Sequence, residues 1–415
     1  MRKEILAGLT TFSTMAYILI VNPLILSEAG IDFPSAMLAT ILLTFLGSSL
    51  MGLLANYPLA IAPGVGLSAY FTYSVVIGGG IPWQTALGIV FLTGVLLLLL
   101  WATGLRELII HAIPKGLKVG TTAGVGLFLV VVGLKNAQII VAHPQTLLTL
   151  GNLLRPEVVF VALALALSAA LMSRGVSGAL LIGIFFAWIG GLIYGIVEWK
   201  GVFALPSFTS STFLQLDIRG AIAPENWMVI FSFLFICLFD VSGSLMGLAH
   251  QGKFLDKLGK LPRLKRALFP DALCTTLAGL VGSSACAIYI ESASGIAAGG
   301  RKGITAITVG ALFLLTLFFE PLASSIPLFA VTAVLVVIGA LMLQSVTDLN
   351  WKDPTEFIPA FVTVVGIPLT YSVGTGIGLG MILFPICKLF AGKWRDVHWL
   401  SWILAALFAW QFAAM

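Results

Sequence analysis

Two carboxylates stand where carboxylates are costly. Asp240 lies in Phe235-Ile236-Cys237-Leu238-Phe239-Asp240-Val241-Ser242-Gly243-Ser244, and Glu291 in Cys286-Ala287-Ile288-Tyr289-Ile290-Glu291-Ser292. A charged side chain at the centre of a bilayer costs at least about 2.5–3.5 kcal/mol on insertion scales. No Lys or Arg lies mid-span to offset either acid. Each is therefore read as protonated part of the time, in contact with a ligand, or both. The competing reading is a neutral carboxyl that hydrogen-bonds between helices. Ser244, four residues after Asp240, and Cys237, three before it, share its helical face and are candidate secondary lining.

The element around Glu291 is unusual. Residues 283–302 are too short and too rich in small residues for a spanning helix, which needs about 20 apolar residues. The spacing predicts extended chain over 286–290, then a short helix over 292–298 closed by Gly299-Gly300. Residues 58–78 are interrupted in the same way at Pro63-Gly64, with Ser68 at the restart of the helix, as lining residue or N-cap. Irregular backbone at membrane depth is tolerated only where protein buries it or it lines a cavity. Two such segments meeting would pair their strands and turn their helix starts toward a common cavity, favouring electron-rich ligand atoms.

The whole chain must hold these elements in lipid. Of its 415 residues, 59% are hydrophobic and 9% charged, against about 25% charged in soluble domains. Mean hydropathy is +1.09. This is a polytopic membrane protein, all-α apart from the two short strands. Met1-Arg2-Lys3 runs into apolar sequence with no small-residue cleavage pattern, so no cleaved leader is expected. Cys237, Cys274, Cys286 and Cys387 form no CxxC pair and the four histidines no ligand array, so neither metal nor cofactor is expected. The pI near 9.0 reflects charge sidedness rather than nucleic acid.

Fourteen segments are predicted: 5–27, 35–55, 58–78, 82–103, 114–134, 156–173, 176–199, 226–250, 267–283, 284–300, 303–320, 326–345, 354–371 and 373–391. The linker 200–225, with Ser and Thr at 207–212, reads as loop or short strand. The basic stretch 251–266 reads as a headgroup-facing loop. The last apolar stretch, 399–415, reads as an interfacial or packed helix. With the N-terminus cytoplasmic, 18 of the 22 Lys and Arg residues fall on that side. The interrupted segments are third and tenth, so they match in two sets of seven. Odd-numbered halves are inverted, and paired breaks at matching positions point to a midplane site.

Other patterns are weaker. Gly64-x-Gly66-x-x-Ala69 lacks the soluble βαβ context of a dinucleotide fingerprint. The glycines at 374, 376, 378 and 380 read as close helix packing. No nucleophile–base pair is visible, so an enzyme is not expected. Paired breaks disfavour a channel.

Three motifs carry a resemblance. They are Ala62-Pro63-Gly64-Val65-Gly66-Leu67-Ser68-Ala69-Tyr70-Phe71, Phe239-Asp240-Val241-Ser242-Gly243-Ser244-Leu245, and Tyr289-Ile290-Glu291-Ser292-Ala293-Ser294-Gly295-Ile296-Ala297-Ala298-Gly299-Gly300-Arg301. With Ala7-Gly8-Leu9-Thr10-Thr11-Phe12 and Ala16-Tyr17, they make the chain resemble, over its whole length, the nucleobase–cation symporter-2 (nucleobase–ascorbate transporter) family. The likeness is strongest to its adenine/guanine/hypoxanthine permease branch. The resemblance implies seven plus seven inverted spans. Residues 1–105 and 226–320 would form a mobile core, and 106–225 and 321–415 a gate. It further implies proton-coupled import of purine bases by an elevator-like motion, and members are often dimeric. Asp240 and Glu291 match the acids that hold the base in the family, and Ser68 matches a contributing position. Relatives commonly have Asn in place of Ser68 and a further Asp in place of Cys237.

The expectation is thus an inner- or plasma-membrane importer of a purine base with H⁺, with the N-terminus and the end of segment 14 cytoplasmic. Glu291, Asp240, Ser68, Ser292, Tyr289 and Phe71 are its candidate binding residues. Asp240 and Glu291 are its candidate proton sites. Phe71 and Tyr289 are candidate aromatic faces, with core packing the equal alternative. A same-fold carrier of uracil or a small anion is the alternative function, and the two acids argue against the anion.

Overall fold

The computed structural model describes residues 1–206, 210–257 and 260–414. Residues 207–209 of the Ser/Thr linker, 258–259 of the basic loop and Met415 lie outside the described residues. Fourteen segments follow in order. The first half holds segment 1 (Arg2–Glu28), segment 2 (Phe33–Ala55), segment 3 (strand Ile61–Pro63, then helix Val65–Gly78), segment 4 (Trp83–Thr103), segment 5 (Lys115–Asn136), segment 6 (Pro156–Ser173) and segment 7 (Ala179–Ile193). The second half holds segment 8 (Trp227–Gln251), segment 9 (Leu264–Val281), segment 10 (strand Cys286–Ile288, then helix Ser292–Ala297), segment 11 (Gly303–Ser324), segment 12 (Leu328–Asp348), segment 13 (Pro354–Thr370) and segment 14 (Val373–Phe390). Among the described residues, nine helices are long and apolar enough to cross a membrane.

The two halves meet at their broken segments. The strands pair antiparallel, with Ile61 opposite Ile288, Ala62 opposite Ala287 and Pro63 opposite Cys286. Gly64 N–H donates to Ala285 C=O and Tyr289 N–H to Ala60 C=O, both at 3.0 Å, so the ladder runs past the strands. The outer edges are closed by hydroxyls. Ser48 of segment 2 accepts from Ile61 N–H at 3.1 Å and donates to Ile61 C=O at 3.2 Å. Thr275 of segment 9 accepts from Cys286 N–H at 3.2 Å. Segments 2 and 9 hold equivalent places in the halves, so the same device appears on both sides of the inverted repeat. It removes unpaired backbone groups that lipid cannot satisfy. Equivalent segments 5 and 12 also meet, at Gly126 and Gly339. A methyl group on Gly126 would stand 2.7 Å from Gly339 C=O, so only glycine allows this approach.

Local chemistry sets the ends. Asp32 caps segment 2 by accepting from Ser35 N–H at 3.0 Å, with Pro34 in the first turn. Asp353 and Ser372 cap segments 13 and 14 in the same way. Segment 1 is not one helix. It breaks at Ala16-Tyr17 between helices Arg2–Met15 and Ile18–Glu28, where Leu19 N–H and Ile20 N–H bond back three residues. Its first turn is tied to the start of segment 11: Glu4 accepts from Lys302 N–H at 3.0 Å and from Thr305 Oγ1 at 2.7 Å.

One feature adds to the sequence reading and another departs from it. Beside the expected pair of strands, Ile140–His143 pairs antiparallel with Leu147–Leu150 as a hairpin between segments 5 and 6. Its Ile-Val and Leu-Leu-Thr runs favour strand, and His143 Nδ1 fastens the turn by accepting from Thr146 N–H. The expectation of two deep acids needs correction. Asp271 of segment 9 and Arg106, on the helix Leu105–Ala112 that links segments 4 and 5, form a wholly buried ion pair at 2.5 Å. Among its described residues, the linker 200–225 forms short helical turns at Ile218–Ile222 and at Pro224–Asn226. The final helix, Trp399–Ala414, packs on the bundle, with Phe408 against Phe235 of segment 8 at 5.7 Å between ring centres.

Candidate functional site

Beside the paired strands lies a cavity of about 460 Å³. One wall comes from segments 1, 3, 8 and 10, including Tyr17, Gly64, Asp240 and Glu291. The facing wall comes from segments 5, 7 and 12, including Thr122, Val125, Leu180 and Met342. Both breaks deliver backbone to it: Gly64–Leu67 at the start of one helix, and Tyr289–Glu291 ahead of the other. Gly66 allows the walls to close, because a methyl group there would meet Val125 Cγ1 at 2.5 Å.

Asp240 and Glu291 line this same cavity and are half-buried. The strand turn places Glu291 immediately before helix Ser292–Ala297. Tyr17, 2% exposed, donates its phenol proton to Glu291 Oε1 at 2.5 Å. One turn earlier on segment 1, Thr14 Oγ1 bonds Ser294 Oγ at 2.9 Å, and Ser294 donates to Glu291 C=O at 2.7 Å. Residues 14 and 17 thus face residues 291 and 294, each pair three apart on its own element. The Asp240 carboxylate accepts no hydrogen bond among the described residues; only its backbone carbonyl is used, by Ser244 Oγ.

The other sequence candidates are distributed differently. Tyr289 reaches the cavity, with its hydroxyl donating to Pro63 C=O at 2.6 Å. Ser68 does not reach it. It is wholly buried behind the break, bonding Asn22 Oδ1, Gly64 C=O at 3.0 Å and Ser284 Oγ at 2.5 Å. Asn22 extends this knot to Thr40 Oγ1 at 2.8 Å. Ser292 is also buried away from the cavity and accepts from Ala60 N–H at 3.0 Å, so its hydroxyl braces the strands. Phe71 and Cys237 are fully buried off the cavity wall, and Ser244 is buried beside its own backbone bond. The polar wall residues that the sequence reading did not name as site candidates are Thr14, Tyr17, Thr121, Thr122, Ser294 and Gln344. The sequence signals for the first two are their three-residue spacing in segment 1 and, for Tyr17, its place in the Ala16-Tyr17 pair. Among the described residues, no cluster of His, Cys, Asp or Glu is arranged to hold a metal.

The arrangement can hold a flat polar molecule. Aliphatic side chains such as Val65, Leu129, Ile290 and Ile338 supply an apolar surround, and two carboxylates supply convergent acceptors. A bundle of apolar helices with paired broken segments and a cavity beside them has the arrangement of a carrier. The solved transmembrane domain of a cyanobacterium bicarbonate transporter, BicA, superposes with a TM-score of 0.69, covering 90% of this chain and 97% of that one at 14% identity. At that identity it establishes the shared fold.

The chain belongs to the Permease family: the family model Xan_ur_permease matches residues 2–379. It is 42% identical to the guanine/hypoxanthine permease PbuO of Bacillus subtilis, over 98% of this chain and 96% of that protein. It is 41% identical to the adenine permease AdeQ of Escherichia coli, over 98% and 92% respectively. It is therefore a multi-pass membrane transporter, of the family and branch its motifs resemble.

Proposed function

We propose that this protein is a secondary active importer of purine bases, driven by symport of H⁺. The observation that carries the reading is the opening of two unpaired-by-cation acids, Asp240 and Glu291, onto one cavity between facing walls. Purines present ring N–H donors and carbonyl or ring-nitrogen acceptors. Glu291, ionised, accepts from ring N–H groups, and backbone N–H groups at the segment 3 break donate to acceptor edges. Asp240, whose carboxylate accepts no hydrogen bond among the described residues, is the proton carrier. Tyr289 lines the wall with its hydroxyl held on Pro63 C=O. Ser68, Ser292, Phe71, Cys237 and Ser244 support the wall from behind.

In this reading residues 1–105 and 226–320 move as a core against the gate formed by 106–225 and 321–415. The cavity wall division, with segments 1, 3, 8 and 10 against segments 5, 7 and 12, supports that partition. Protonation of Asp240 and pairing of Glu291 lower the cost of carrying both acids past apolar gate residues. The N-terminus and the end of segment 14 are cytoplasmic, as the Lys and Arg asymmetry favours, and the carrier is a homodimer in the cell membrane. The close relatives transport guanine, hypoxanthine or adenine by their names, and the site chemistry fits those substrates. A small anion, as in the bicarbonate carrier of like fold, would meet two acids in this cavity.

The test is uptake of labelled hypoxanthine, adenine, guanine, xanthine and uracil by cells expressing the protein, with and without a proton uncoupler. Purine accumulation that collapses with the uncoupler is expected. No uptake of any purine by a well-expressed protein would remove the claim.

A further inference from the structure

We propose that Tyr17 is a positioning residue that stands in for the substrate at Glu291 when the carrier is empty, so that it governs the return step rather than the loaded step. This rests on the purine-carrier reading and deepens it.

The two acids of the cavity differ in one respect. Glu291 has a standing hydrogen-bond donor from the protein, Tyr17, and Asp240 has none at its carboxylate among the described residues. The donor belongs to the same moving body as its acceptor. Segment 1 is tied to segments 10 and 11 at three levels: Tyr17 to Glu291, Thr14 to Ser294 at 2.9 Å, and Glu4 to Lys302 N–H at 3.0 Å. The bond is therefore carried along in any displacement of segment 10. Tyr17 is 2% exposed, so a base in the cavity has little access to its ring.

A carboxylate away from water loses most when it has no donor, and charge-assisted bonds are the strong ones. With a base bound, its N–H groups supply donors to Glu291 and Tyr17 adds one more. With the base gone, Tyr17 alone remains. Asp240 meets the same need in the loaded carrier by taking the coupled proton, which leaves with the base. Removing the phenol hydroxyl thus penalises the empty carrier more than the occupied one. Net uptake requires the empty carrier to return. Exchange of labelled for unlabelled base uses only occupied carriers in both directions.

The experiment uses the full chain in proteoliposomes and compares net uptake of labelled hypoxanthine with exchange into vesicles preloaded with unlabelled hypoxanthine. Binding to the purified protein, read by its tryptophan fluorescence, scales each variant to its folded fraction. In Tyr17→Phe, net uptake is expected to fall about tenfold relative to exchange. In Thr305→Val, which removes a tie between segments 1 and 11 outside the cavity, the ratio of the two is expected to stay at the wild-type value. An unchanged ratio in Tyr17→Phe, the same split in Thr305→Val, or loss of all base binding in Tyr17→Phe would each overturn the proposal while leaving the purine reading in place. Absence of both net uptake and exchange in the wild type would instead defeat the purine reading, and this inference with it.

Discussion

Tyr17 donates its phenol proton to Glu291 across 274 residues of sequence, and the bond spans the cavity wall from segment 1 to segment 10 at 2.5 Å. Glu291 is thus aimed by a neighbour that does not depend on bound ligand. The first prediction concerns the charge that this bond steadies. Glu291→Gln keeps shape and one carbonyl oxygen but replaces an ionised acceptor with an amide that is half donor. Bonds to charged groups are worth about 1.5–3 kcal/mol. Purine affinity should therefore fall about 10- to 100-fold, while the protein still elutes as a folded species in detergent. Titration calorimetry with hypoxanthine measures this; affinity near the wild-type value would contradict the role given to Glu291.

Asp240 lacks a fixed donor at its carboxylate among the described residues, so its Asn variant should behave differently. Asparagine cannot carry a proton. Accumulation against a gradient should fall at least about tenfold in Asp240→Asn, with exchange reduced much less. Vesicles with an imposed pH gradient give both numbers from one preparation. Equal retention of accumulation and exchange would remove Asp240 as the proton carrier.

The parts of this fold that can be read from the chain are those that lipid makes expensive. Interrupted segments at 58–78 and 283–302 stand out because hydrocarbon does not forgive open backbone, and their strands do pair, Ile61 with Ile288. Asp240 and Glu291 stand out for the same reason. Tyr17 does not, because a tyrosine in an apolar helix has many uses and its partner is far away in sequence. Ser68 and Ser292 show a second blind spot. A small hydroxyl beside a break can face the cavity or reach back to the frame, and here both reach back, to Asn22 and to Ala60 N–H. The hairpin at residues 140–150 lay in a stretch with no membrane constraint to reveal it.

Arg106 and Asp271 escaped notice because Arg106 falls between the predicted segments and Asp271 near the start of the predicted segment 267–283, where charge is ordinary, whereas the helix begins earlier, at Leu264. Folding buries both completely, and Arg106 also donates to Leu268 C=O at 2.8 Å. Arg106 Nε and Asp271 Oδ1 are left without partners among the described residues. Removing one member of a buried pair leaves an uncompensated charge, at a cost of about 3–5 kcal/mol. Asp271→Leu alone should therefore lower the thermal midpoint in detergent sharply. The double variant Arg106→Met/Asp271→Leu should recover most of the loss, since apolar replacement of a whole buried pair is often neutral. A double variant no more stable than the single would show that the pair itself is required.

The acid limb of stability should be set partly outside the membrane, at Asp353. Its carboxylate accepts from Thr355 Oγ1 at 2.7 Å, from Thr355 N–H at 3.0 Å and from Lys393 Nζ at 2.9 Å. The Thr355 hydroxyl first, then the Lys393 ammonium, hold the Asp353 carboxyl well below the usual carboxylate range. A group whose pKa is lower folded than unfolded stabilises fully above its unfolded value of about 3.9, and loses that contribution as pH falls through the folded value. Asp353→Asn keeps a good helix cap but removes the charge. The gap in thermal midpoint between wild type and Asp353→Asn should thus be constant from about pH 7 to pH 5 and narrow only below about pH 4. Melting curves of the detergent-solubilised proteins across that range decide it. A gap already closed at pH 6 would mean that Asp353 is not held ionised by its cap and its lysine.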